Sequence, residues 1–190
     1  ISESVLKRSV LKQLHTKRDE VLLGAGVGED CSAVQIDAKE IFVISTDSIT
    51  AASKNMGGLS VIVALNDLAS AGAEPIGILL KVLLPEKTEE IELKEIMKQV
   101  ETVCEKFHIQ VLGGHTEVTD AVKRPILSVT GIGKVREDRL VSTSGAKPGM
   151  DIVATKWVGI EGTVILAKER EKELSDRYST TFIDRAKDLD

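Results

Sequence analysis

Four carboxylates sit in places where a purely structural role is awkward. Asp30 lies between the glycine-rich stretch LLGAGVGED and the run CSAVQI. Asp47 follows the run IFVIS. Asp67, beside Asn66, interrupts GGLSVIVALNDLASAGA, and Glu117 follows Gly113-Gly114-His115-Thr116. A carboxylate surrounded by apolar sequence must find a cation, a hydrogen-bond donor or water, because burying its charge alone costs several kcal/mol. Carboxylates that meet at strand ends supply the hard oxygen ligands of Mg²⁺, an ion that keeps some waters and bridges protein carboxylates to substrate phosphates. Taken singly, each residue has an ordinary role. Asp30 reads as a turn former, Asp47 as a cap, Asn66-Asp67 as a polar notch at a helix end and Glu117 as a surface glutamate. The joint pattern points to metal and phosphate.

The glycines add to it. Gly24-x-Gly26-x-Gly28, Gly113-Gly114 and Gly159-x-x-Gly162-Thr163 are places where backbone N–H groups can approach an anion. The last also opens an expected helix, whose positive end favours phosphate. None completes a P-loop or dinucleotide fingerprint, and each alone reads first as a tight turn. Lys81, inside ILLKVLL, is either an edge lysine with its stem along apolar surface or a phosphate contact. His115 is a polar residue or a base. Nothing near Cys31 marks an activated thiolate. GxSxG, HExxH and Cys/His metal spacings are absent, so serine-hydrolase and zinc-enzyme readings have no support.

These residues need elements to hold them. Leu6, Val10 and Leu14 stripe a helix over 2–15. Strands are expected at Ser32–Ile36 and Ile41–Ser45, and a buried helix over Gly57–Ala73 that ends before Pro75. Ile76–Leu84 reads as a buried strand. The next helix opens near Thr88, a candidate N-cap, with Leu93, Ile96, Met97, Val100, Val103, Cys104 and Phe107 on one face. Gln110–Val118, broken at Gly113-Gly114, and Pro125–Val135 give two more strands. After the turn at Lys147-Pro148-Gly149 come a strand, Asp151–Thr155, and a charged helix from about Thr163. Strands and helices mix without strict alternation, which favours α+β over a doubly wound sheet. A domain boundary is expected within 136–150.

The chain has 190 residues, 42% hydrophobic and 29% charged, with a net charge of −5 and 3% aromatics. That composition describes a globular protein. It lacks the basic field and stacking platforms of a nucleic-acid binder. No apolar run reaches the roughly 18 residues of a membrane span, and no signal peptide opens the chain. Cys31 and Cys104 lie far apart, which fits reduced thiols in the cytoplasm. The first residue is Ile1, so the natural start is expected upstream or removed. One strand and one helix after residue 148 are too little for a core, so the natural chain is expected to continue past Asp190.

The segments GVGEDCSAV, STDS, NDLASAGAEP, LLPEKT and GGHTEVT, in this order, resemble the aminoimidazole-ribonucleotide (AIR) synthase-related superfamily. LVSTSGAKPGMDIVATK and GIEGTVILA resemble the start of its second domain, and the likeness covers roughly residues 20–170. That superfamily also holds thiamine-monophosphate kinase, selenophosphate synthetase and the hydrogenase maturation factor HypE. The chain reads STDSITAA where AIR synthase-like sequences carry GTDGVGTK. It has no reactive Cys before Asp30, as selenophosphate synthetase needs, and Glu29-Asp30 where thiamine-phosphate kinases pair aspartates. It is most similar to the HypE-like branch.

The resemblance implies an α+β amino-terminal domain, residues 1–140, with a mixed sheet that pairs as a dimeric barrel. Residues 148–190 would begin a second α+β domain. It further implies ATP and Mg²⁺ in a cleft shared by a homodimer. The metal positions would be Asp30, Asp47, Asp67 and Glu117, with Asp67 and Asp47 catalytic. Asn66, Gly113, Gly114, His115 and Thr116 would shape the nucleotide site, together with Gly159, Gly162 and Thr163. The implied activity is activation of an amide or carbonyl oxygen by phosphoryl transfer from ATP. The acceptor is a small molecule or a protein tail, and the partner a hydrogenase-maturation protein. A thiamine-monophosphate-type kinase and a non-catalytic ATP-binding assembly dimer are the alternatives.

Overall fold

The computed structural model describes residues 3, 4, 7, 11, 19–29, 31–35, 39–50 and 55–189. Asp30 and almost all of the expected helix over 2–15 lie outside the described residues. The chain divides into two compact units, the first made of residues 1–50 and 56–146 and the second of residues 51–55 and 147–190.

Among the described residues, the first unit is built on one six-stranded sheet with two long helices on one face. In chain order its elements are β1 (Val21–Leu23), β2 (Cys31–Gln35), β3 (Glu40–Ile49), α1 (Met56–Ser70), β4 (Glu74–Leu84), α2 (Glu90–Phe107), β5 (Gln110–Val118) and β6 (Ile126–Arg136). The strands lie in the order β1-β2-β3-β6-β4-β5. All neighbours are antiparallel except β4 and β5. A parallel pair needs a crossover, and α2 supplies it. The sheet is therefore mixed and the fold is α+β, as the unalternating element order predicted.

Alternation decides which residues form the core. Ile41 and Val43 of β3, Leu127 and Val129 of β6, and Ile78 and Val82 of β4 turn toward the helices and are buried. They meet Val61, Ala64 and Leu68 of α1, while Val100 and Cys104 of α2 are equally enclosed. Each such aliphatic side chain contributes roughly 1.5–3 kcal/mol by leaving water. The apolar stretch 57–73 reads as buried on nearly every side because α1 packs against β3, β6 and β4 and also against α2. Gly57 permits that crossing: a Cβ there would run into the Ile96 carbonyl.

Gly114 has a similar cause. A Cβ on it would strike the main chain of Leu80 on β4. The glycine pair that reads as a break in the sequence is thus a close approach inside a continuous β5, with the register shift falling opposite, at Ile78 and Leu79. Gly114→Ala is expected to destabilise the unit by about 3 kcal/mol, because a backbone neighbour cannot give way as a side chain can. A lower urea midpoint at unchanged slope would report it.

Both cysteines are buried and neither forms a disulfide. Burial, and then the nearby Glu101 charge, push the Cys104 thiol from 9.0 up to about 11. The folded chain holds this proton after the unfolded chain has released it. The stability tied to Cys104 is therefore complete below pH 9 and is lost as pH rises toward about 11. Denaturant midpoints taken across that range should fall in the wild type. The Cys104-dependent part of the slope should vanish in Cys104→Ala.

Several local expectations need correction. Thr88 does not cap α2. Its N–H closes a turn onto the Pro85 carbonyl at 3.0 Å, and Glu89 holds the N-cap position without a side-chain bond. Glu90 and Glu92 in the first turn meet the positive helix end instead. β3 runs past Ser45 to Ile49, because Thr46, Asp47 and Ser48 continue the ladder with Thr130, Val129 and Ser128. β1, unforeseen in the sequence, pairs with β2.

The second unit differs more. Asp151–Thr155 forms no strand, and Ile152 and Val153 are exposed. No other segment among the described residues supplies the ladder a strand would need. Three helices follow in place of one: α3 (Ile160–Glu169), α4 (Glu171–Ser175) and α5 (Thr180–Lys187). α3 starts three residues before Thr163, after Gly159 at φ +79°. Thr163 Oγ1 donates back to the Gly159 carbonyl at 2.8 Å. Ser179 caps α5 by accepting from the Phe182 N–H at 3.3 Å. Among the described residues, no helix is long and apolar enough to cross a membrane.

Candidate active site on the helix-covered sheet face

Ser45 sits at the centre of β3 and points toward α1, one of the few buried polar side chains. Its hydroxyl donates to Asp67 Oδ2 at 2.5 Å. The bond fixes where the Asp67 carboxylate lies, because a buried hydroxyl without an acceptor would cost about 1–3 kcal/mol. Asp47 is two residues along the same strand, on the same face and about 7 Å further on. It is exposed, and its Oδ1 accepts the Ser48 N–H at 2.6 Å. Strand alternation and one inter-element hydrogen bond thus place Asp47 and Asp67 on the same side of the sheet.

The main chain of Asp67 is anchored as firmly. Its carbonyl accepts the Ala71 N–H at 3.2 Å, Ser70 Oγ at 2.7 Å and the Cys31 thiol at 3.3 Å. Cys31 opens β2, directly after Asp30 in the chain, so the start of β2 is tied to the end of α1. Asn66 is exposed on the last turn and a half of α1.

Glu117 lies elsewhere. β6 and β4 separate β3 from β5, about 14 Å across the sheet. In register, Lys81 faces His115 and Leu83 faces Glu117, so both β5 residues turn to the face opposite the helices. His115 Nε2 and Glu117 Oε2 are 3.3 Å apart. Within one chain Glu117 does not join Asp47 and Asp67. Gly113 accompanies His115 on the open face, while Gly114 and Thr116 are on the helix side of β5. Gly159, Gly162 and Thr163 belong to the second unit, at the start of α3.

The open face carries a polar row across four strands: Ser48, Ser128, Lys81 and His115 follow one another in register. Ser48 and Ser128 share a hydroxyl hydrogen bond at 2.5 Å, and Thr46 and Thr130 another at 3.0 Å. Lys81 is thus exposed on the open sheet face, away from the carboxylate pair.

No group of three or more His, Cys, Asp and Glu side chains able to hold a metal occurs among the described residues. Two carboxylates are still a suitable donor set for Mg²⁺, which often takes one or two from protein and the rest from phosphates and water. Sequence reading missed Ser45 and the Cys31 contact. The first was available in the alternation of IFVISTDSI, which puts Ile41, Val43, Ser45 and Asp47 on one face.

Curated relatives match most of the chain. It is 27% identical over 171 residues to a putative hydrogenase expression/formation protein of Methanocaldococcus jannaschii, covering 87% of the chain and 51% of that protein. It is 28% identical over 153 residues to carbamoyl dehydratase HypE of Cupriavidus necator, covering 77% and 44%. It is 29% identical over 147 residues to thiamine-monophosphate kinase of Salmonella typhimurium, covering 73% and 42%. The chain thus spans about half the length of these relatives or less. A solved Thermus thermophilus structure has the same fold, with a TM-score of 0.73 and 22% identity over 98% of the chain and 61% of its own. The family model for the AIR synthase related protein, N-terminal domain, matches residues 28–135, more than half of the chain, and the chain belongs to that family.

Proposed function

We propose that the chain carries the nucleotide-handling part of an ATP-dependent enzyme of the HypE-like branch, one that activates an amide or carbonyl oxygen by phosphoryl transfer. One observation carries the reading: Ser45 holds Asp67 by a 2.5 Å bond on the sheet face that also presents Asp47. Relatives in hydrogenase formation and carbamoyl dehydration support the branch.

In this reading Asp47 and Asp67 hold Mg²⁺ together with the phosphates of ATP, and Asp30 belongs to the same set. The bound ion supplies positive charge that offsets the phosphate oxygens as the phosphoryl group moves. The protein supplies positioning. Ser45 fixes the carboxylate of Asp67, and the three donors on its carbonyl keep the end of α1 from shifting. Asn66, exposed beside it, faces the nucleotide.

Glu117 completes the metal set from a second copy of the chain. Gly113, Gly114, His115 and Thr116 belong to the nucleotide site on the same basis. Gly159, Gly162 and Thr163 belong to a phosphate position at the start of α3, where the Thr163 N–H closes onto the Gly159 carbonyl at 3.0 Å and the first-turn N–H groups before it, Gly162 included, are the donors. The working form is a cytoplasmic homodimer acting with a hydrogenase-maturation partner, and the acceptor is a small molecule or a protein tail.

The kinase relative at 29% identity favours one other reading, transfer of phosphate to a thiamine-phosphate-type acceptor. The fate of the γ-phosphate separates the two. With γ-labelled ATP, the natural protein and an amide acceptor, the dehydration reading expects label in free phosphate and loss of water from the acceptor. Label retained on the acceptor at steady state would establish the kinase instead.

A further inference from the structure

The first unit contains a hollow of about 130 Å³ on the main-chain side of Asp67. Leu23, Ala71 and Val141 form apolar wall, and Glu29, Cys31, Ser70, Ser142 and Thr143 supply its polar atoms, the Ser142 hydroxyl sharing a 2.6 Å hydrogen bond with that of Ser144. We propose that this hollow binds a small primary alkylammonium ion, with Glu29 as its counter-charge. The inference concerns a ligand beside the nucleotide site and does not depend on ATP turnover.

Size comes first. A cavity of about 150 Å³ takes a six-carbon ring, so this one seats roughly five or six heavy atoms. Charge comes next. Among the described residues, no Lys, Arg or His lines the hollow, and Glu29 is the one charged group that does. An anion would therefore enter against a carboxylate.

The direction of the hydrogen bonds completes the case. Thr143 Oγ1 gives its proton to Glu29 Oε1 at 2.6 Å. Ser70 Oγ gives its proton to the Asp67 carbonyl, and so does the Cys31 thiol. With these protons committed inside the protein, the polar lining offers lone pairs. A hydroxyl has one proton and two lone pairs, so the oxygens of Ser70 and Thr143 still accept. Among the described residues, Glu29 Oε2 has no hydrogen-bond donor. A ligand that fits has an apolar body and several N–H donors at one end. An ammonium group has three donors and no acceptor.

The same head group arrives on a free amine or on a lysine side chain, so the test carries both. Methyl resonances of Leu23, Ala71 and Val141 are followed as the 190-residue chain is titrated with n-butylammonium, butyrate or Nα-acetyl-lysine methylamide. Saturable shifts are expected with the ammonium compounds, and the tighter of the two names the source. Butyrate should shift none of these methyls. Glu29→Gln keeps an acceptor for Thr143 but loses the charge, and should weaken ammonium binding at least 10-fold. Equal binding of butyrate, unchanged affinity in Glu29→Gln, or no shift with either ammonium compound would overturn the proposal.

Discussion

Asp67→Asn is expected to lower ATP turnover by the natural protein at least about 100-fold while leaving it folded. Removing one group aimed at developing charge in a phosphoryl- or acyl-transfer site commonly costs a factor of about 100 to 1,000. The asparagine carbonyl still accepts the Ser45 hydroxyl, and the 2.5 Å bond is kept. Charge is removed and packing is kept. Asp67→Ala removes both, and the orphaned Ser45 hydroxyl should then cost about 1–3 kcal/mol in stability. The pair separates a positioning bond from a functional charge. Steady-state ATP hydrolysis beside a thermal melt reads both quantities. Turnover that survives in Asp67→Asn would remove this carboxylate from the chemistry.

The second large effect concerns assembly. Helices cover one face of the sheet. The other presents Phe42, Ile44, Ile132 and Leu83, all half-buried, together with Leu79 at 42% exposure. A sheet with apolar residues on both faces needs a layer on each. A second copy meeting the first across a two-fold axis would supply that layer with the same patch on each side. Leu79 stands near the middle, between Thr130 on β6 and Gly113 on β5. Leu79→Asp would bring two unpaired carboxylates into such an interface, a cost of several kcal/mol. Sedimentation at micromolar concentration should show a dimer for the wild type and a folded monomer for the variant. A wild-type monomer would remove the shared cleft, and with it any route by which Glu117 reaches Asp47 and Asp67.

How much of this was legible in the sequence varies with the range of the forces involved. α2 declares itself through one clean apolar stripe, and β4 and β6 through short stretches rich in Ile, Leu and Val, because local pattern and final packing agree there. β1 does not. Three residues carry no periodicity, and only the pairing with β2 makes them a strand. Asp151–Thr155 fails in the other direction, with a good strand pattern and no ladder among the described residues.

The candidate site divides in the same way. Asp47 and Asp67 were each conspicuous as carboxylates in apolar runs. Their common face follows from β3 alternation plus the Ser45 bond, and that bond spans 22 residues. Glu117 stands out by following Gly113-Gly114-His115-Thr116, yet β6 inserts between β3 and β4 and sets it far across the sheet. Strand order is a long-range property, and residue spacing along the chain does not encode it. The Gly113-Gly114 pair had two sequence readings, anion cradle and tight geometry. The Leu80 main chain accounts for Gly114 by close approach alone.

The most direct test of the central idea, that Asp47 and Asp67 act together on a metal-bound triphosphate, is calorimetric titration with a non-hydrolysable ATP analogue, with and without Mg²⁺. The natural protein should bind the analogue in a Mg²⁺-dependent way, and Asp47→Asn and Asp67→Asn should each weaken that binding at least 10-fold. Affinity that is indifferent to Mg²⁺, or unchanged when both carboxylates are replaced, would contradict it.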